Sequence, residues 1–109
     1  MINMVKPGAM PELPAGFADK FDRKTCGIDD PAAFAKKADL LALYDKTRAA
    51  SVKWVKSLTQ QDLEQPGPEP MRQMLPTVSH LVGLLPVHVA MHLGQMQVAR
   101  RKLGKPILF

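Results

Sequence analysis

An all-helical fold is what this sequence predicts, and three observations predict it. The stretch from Pro76 to Pro106 has a helical start, a helical stop and an apolar run between them. A second stretch, 31–58, places apolar residues at roughly helical spacing. Aromatic residues make up only 6% of the chain while methionines number seven, a composition that favours helices over sheets. Ten prolines would argue against helices, but only Pro86 interrupts a periodic run.

Size and charge set the outer bounds. At 109 residues there is room for one domain, 1–109, with one modest core. The 46% hydrophobic and 23% charged content is that of a soluble globular protein. A net charge of +5 gives a mild attraction to anions. The basic residues are scattered among acids, so nucleic-acid binding is not expected. A single cysteine, Cys26, excludes an intrachain disulfide and reads as an inert loop thiol, with no histidine beside it in sequence to activate it. No signal peptide is visible. The uncharged stretch from Met74 to Ala99 is broken by His, Gln, Ser, Thr and Pro, which argues against a membrane span. The cytoplasm is the expected compartment.

Taken in order, the chain opens on an apolar scrap, MINMV, stopped at once by Lys6, Pro7 and Gly8. Residues 7–30 are rich in Pro and Gly and read as an irregular surface lead-in, pinned by Phe17 and Phe21, with one helical turn near 15–22. Asp30 as N-cap and Pro31 at the first helical position start the next helix. Phe34, Ala38, Leu41, Tyr44, Val52, Val55 and Leu58 form its apolar stripe, and the lysines between them its solvated face. Trp54 lies beside that stripe and reads as a packing residue. Thr59 to Asp62 fits a capping box and predicts a short separate turn, QQDLE. Pro66, Gly67, Pro68 and Pro70 make a stiff loop, with one more turn at 71–75.

The last helix is signalled at both ends. Thr77 suits the N-cap. Arg100, Arg101 and Lys102 oppose the negative end of the helix dipole, Gly104 suits a left-handed C′ position, and Pro106 follows. Residues 81–93 are apolar almost all round, which predicts a helix buried on several sides, kinked or restarted at Pro86. His88 and His92 interrupt the run four residues apart, on one face, and Gln95 extends their stripe. Two imidazoles at this spacing can share a divalent ion; they can equally be satisfied core or interface histidines. His80, roughly 80° round the helix from His88, is a poor third ligand, and no loop carboxylate is singled out.

His88-Val-Ala-Met-His92-Leu-Gly-Gln95, followed by Arg100-Arg101-Lys102-Leu103-Gly104-Lys105-Pro106, resembles the C-terminal signature of the DinB/YfiT-like superfamily. The helix at 31–58 and the LTQQDLEQP turn resemble that family's third helix and its exit, so the resemblance covers about 30–106. It implies a DinB-like helical bundle, an incomplete up-down four-helix arrangement behind a long N-terminal loop. It also implies a divalent-metal site, nickel or zinc, in which His88 and His92 take the places of two of the family's three histidine ligands. Gln95 takes the place of the family's glutamine, a packing group or a support for the ligands.

The family's first ligand is a histidine on an early helix. Here no histidine precedes His80, and MINMV resembles the end of that helix, so the expected chain begins late, with the third ligand unidentified. The resemblance implies a thiol-dependent transferase type of activity, impaired by truncation, with no catalytic residue that can be named. The alternative is a non-catalytic helical oligomerisation module with packing histidines. Either way, three helices of a four-helix arrangement leave an apolar groove, so self-association is expected.

Overall fold

In a computed structural model, which describes residues 1–107, the protein is all-α: helices α1 (Ile2–Val5), α2 (Phe17–Lys20), α3 (Lys37–Lys56), α4 (Gln60–Glu64) and α5 (Val78–Lys102), with three 3-10 turns. Among the described residues the single β feature is an isolated bridge between Pro66 and Thr77. The chain divides into two compact units, Lys6–Ser57 with Ile2, and the residues from Leu58 onward with Met1 and Asn3–Val5.

In the first unit the lead-in is irregular, as expected, and its turns are made by side chains as well as glycines. Gly16, at φ 70°, starts α2 in a conformation that other residues resist. Asp22 accepts from the Lys24 amide at 2.9 Å, and the Thr25 hydroxyl donates to the Asp22 and Lys20 carbonyls. Phe17 and Phe21 stack at 4.6 Å, and Phe34 joins Phe21 at 5.6 Å.

That third ring changes the start of the long helix. Asp30 does cap a turn, accepting from the Ala32 amide at 2.9 Å, and Pro31 does take the first position. The turn is a separate 3-10 segment, Pro31–Ala33, after which Phe34 (ψ 170°) and Lys36 (ψ 150°) are extended. Helix α3 begins at Lys37 rather than near 31. In this extended stretch the Phe34 ring lies 5.6 Å from that of Phe21.

The covered stripe of α3 also differs from the expected one. Leu41 and Tyr44 are exposed, each at 53%, while Trp54 is the helix's buried residue. Leu40, Leu43, Thr47, Ser51 and Trp54 form the covered side, turned by about one residue from the apolar reading. Two hydroxyls lie in it because each is satisfied by its own helix. Thr47 donates to the Leu43 carbonyl at 2.7 Å and Ser51 to that of Thr47 at 2.8 Å. A hydroxyl bonded back to the preceding turn presents mainly its carbon atoms to a neighbour, and a reading by residue type misses that.

The second unit opens on the expected capping box. The Thr59 hydroxyl accepts from the Asp62 amide, and an Asp62 carboxylate oxygen accepts from the Thr59 amide at 2.8 Å. Thr59→Ala should cost about 1 kcal/mol, read as a lowered urea midpoint with an unchanged m-value.

Helix α4 packs on α5, and the loop between them is pinned at its neck. The Gly67 amide donates to the Pro76 carbonyl at 3.0 Å, and the Val78 amide to that of Gln65 at 2.9 Å. Pro68, Leu75, Val78 and Leu81 are buried, Leu81 completely. The tight packing of this unit is therefore gathered at the loop and the first turn of α5.

Helix α5 runs unbroken through Pro86. Proline supplies no amide to the carbonyl four residues back, yet the element neither restarts nor ends there. Its C-terminus closes as a Schellman motif: Lys105 N–H donates to the Arg100 carbonyl, Gly104 N–H to that of Arg101, and Gly104 sits at φ 65°. At the other end Thr77 occupies the N-cap position, but its hydroxyl bonds Nδ1 of His80 at 2.8 Å instead of a backbone amide. The expectation of burial on several sides is not met. Past Leu81 the helix is open, with Val87 62% and Met96 61% exposed.

Candidate metal centre

The site is built by helical spacing alone. Four residues advance a helix by about 40° beyond a full turn, so His88 and His92 project from one stripe, and Gln95 follows three residues later. The two rings meet edge to face with centroids 4.6 Å apart, and their Nε2 atoms lie 3.1 Å from each other. Nδ1 of His92 is 2.9 Å from Oε1 of Gln95.

With neutral rings, the arrangement that satisfies both contacts has Nδ1–H of His92 donating to Oε1 of Gln95. In the neutral ring Nε2 of His92 is then a bare acceptor, facing the Nε2 of His88, which donates. A ring held by a hydrogen bond at one nitrogen and unprotonated at the other is what a metal-binding histidine needs.

The separation of the two nitrogens fits the group as well. Two imidazole nitrogens at about 2.0–2.1 Å from one ion, with angles of about 90–110° between them, lie roughly 2.9–3.4 Å apart. The observed 3.1 Å falls inside that range.

The donor set stops at two. Among the described residues no group of three His, Cys, Asp or Glu side chains comes together. His80 is bonded to Thr77 and lies about 12 Å along the axis from His88. Cys26 is exposed and free, in the other unit. The pair is not enclosed: His88 is half-buried, and His92 and Gln95 are exposed. The Gln95 contact itself was legible in the sequence as an i, i+3 spacing; that it goes to Nδ1, and so orients His92, was not.

An all-helical chain carrying a convergent imidazole pair on its longest helix defines a class of small helical proteins with a candidate metal centre. Residues 4–96 match the sequence profile of the DinB superfamily, and the chain belongs to that superfamily. The match takes in most of the irregular lead-in, which the 30–106 resemblance left out, and ends before the Arg-Arg-Lys-Leu-Gly segment. No curated protein and no solved structure matches the chain.

Proposed function

We propose that this DinB superfamily protein binds a divalent metal ion, nickel or zinc, through Nε2 of His88 and Nε2 of His92. The observation that carries the reading is the 3.1 Å separation of those two nitrogens, together with the Gln95 oxygen 2.9 Å from Nδ1 of His92, a contact that suits the tautomer a metal requires. An ion held by two imidazoles keeps open positions, where it can bind a thiolate or a water and lower its pKa for attack on an electrophile. The chain's own contribution is to orient: Gln95 sets the His92 ring, and the helix sets the angle between the two rings. Among the described residues no carboxylate or thiol joins the pair.

A second reading has an observation of its own. The contact that suits a metal is also an imidazole–imidazole hydrogen bond, which satisfies both rings without one, as a non-catalytic helical module would need.

Calorimetric titration of chelator-stripped protein with Zn²⁺ and Ni²⁺ separates the two. Metal binding predicts saturable uptake in the micromolar range, about −8 kcal/mol, and a loss of roughly tenfold in Gln95→Ala, since orienting partners of ligand histidines are worth about that much. No heat and no bound metal at neutral pH would establish the second reading and remove the first.

A further inference from the structure

We propose that the first unit binds a free α-amino acid with an apolar side chain, in a cavity between the irregular lead-in and the start of α3. The cavity has a volume of about 340 Å³, and its lining includes Ala15, Phe17, Lys20, Asp39, Leu40 and Leu43. All six lie within Lys6–Ser57, the unit that does not carry the histidine pair, so the inference does not depend on the metal-binding reading.

The apolar part of the lining sets the size and the body of the ligand. Leu40 and Leu43 lie on the covered side of α3, yet each stays half-buried, and the space beside them is this cavity. Phe17 supplies an aromatic wall from the lead-in. Its ring packs on Phe21, and Phe21 on Phe34, which limits its freedom to collapse into the space. The volume stands at the small end of the roughly 300–1,000 Å³ found for ligand pockets, room for a small metabolite with one hydrophobic group.

The charges select the head of the ligand. Lys20 and Asp39 are the charged residues of the lining, and they are opposite in sign. Among the described residues the side chain of neither forms an ion pair or a hydrogen bond. An ammonium and a carboxylate carried on one carbon can meet Asp39 and Lys20 together while the side chain enters the apolar part. A carboxylate alone would gain Lys20 but lie near Asp39 with nothing to offset the repulsion, and an amine alone would meet the reverse. A neutral hydrocarbon would take water from both charges and return no partner. The zwitterion is the charge pattern that the lining complements.

Amide-resolved NMR of the full chain, titrated with L-phenylalanine, tests the proposal. The expected result is a saturable set of shifts concentrated at 14–20 and 35–43. The dissociation constant should be on the order of 1 mM or tighter, the range open to a ligand of about twelve heavy atoms. Phenethylamine, which lacks the carboxylate, and 3-phenylpropanoate, which lacks the ammonium, should each bind about threefold to fivefold more weakly, the factor that one exposed ion pair contributes. Lys20→Ala should weaken phenylalanine by the same factor and leave phenethylamine unchanged, and Asp39→Ala should weaken phenylalanine and leave 3-phenylpropanoate unchanged. Ala15→Trp, at an exposed position of the lining, should abolish binding with the helical circular dichroism unchanged. No saturable shift at about 20 mM phenylalanine, well above the expected constant, overturns the site. Saturable shifts centred elsewhere in the chain overturn its placement. Phenethylamine or 3-phenylpropanoate binding as tightly as phenylalanine overturns the zwitterion.

Discussion

Alanine at position 92 is expected to lower zinc and nickel affinity by about a hundredfold or more, while leaving the melting temperature almost unchanged. The size follows from chelation. With His88 already bound, His92 is held on the same helix face at a high effective concentration, and such a second contact is worth roughly 10²-fold or more in overall affinity. Removing it leaves one imidazole on an exposed surface, competing with water. The stability effect is small because two terms oppose each other. The variant loses solvent-exposed hydrogen bonds to His88 and Gln95, each worth about 0.5–1.5 kcal/mol at most, and gains the better helix propensity of alanine, up to about 0.7 kcal/mol. Calorimetric affinity and thermal melting of the same sample check both halves. The packing reading of the histidines predicts that neither protein binds metal.

Gly67→Ala is expected to destabilise the fold by about 3 kcal/mol, lowering the melting temperature by on the order of 15 °C. A Cβ built at this position falls on the Leu75 carbonyl oxygen, with the Leu75 carbonyl carbon at 3.0 Å and the Pro76 carbonyl carbon at 3.4 Å. All three are backbone atoms, so no side chain can turn aside to make room. Relief requires the loop neck to open, and the neck is closed by the Gly67–Pro76 and Gln65–Val78 hydrogen bonds. Opening it also disturbs Pro68 and Leu75, both buried, in a part of the molecule that has few other buried residues to compensate. Gly94→Ala is the control. Nothing lies within 4 Å of a Cβ there and the residue is inside α5, so the same change should stabilise by about 0.5–1 kcal/mol. Urea denaturation of the two variants should move the midpoint in opposite directions.

Local structure was largely legible in the sequence. The Thr59–Asp62 capping box, the turn at Phe17–Lys20 and the left-handed Gly104 all formed as residue type and spacing predicted, because each is completed by atoms within a few residues of one another. The convergence of His88 and His92 was readable for the same reason, since helical geometry alone sets it. What failed turned on contacts that residue type and periodicity do not report. Helix α3 starts at Lys37, after an extended stretch in which Phe34 meets Phe21. The covered stripe of α3 turned because Thr47 and Ser51 bond back to their own helix and can face inward.

By itself, then, the sequence determined the helical class, the Thr59 capping box, the Gly104 closure and the presence of an imidazole pair beside a glutamine, all products of short-range spacing and dihedral preference. Only the tertiary structure decided that the pair faces outward, that the core gathers around Leu75, Val78 and Leu81, and that Gly67 has no room for a side chain. Burial and close approach depend on which distant segments meet, and residue periodicity carries no information about that meeting.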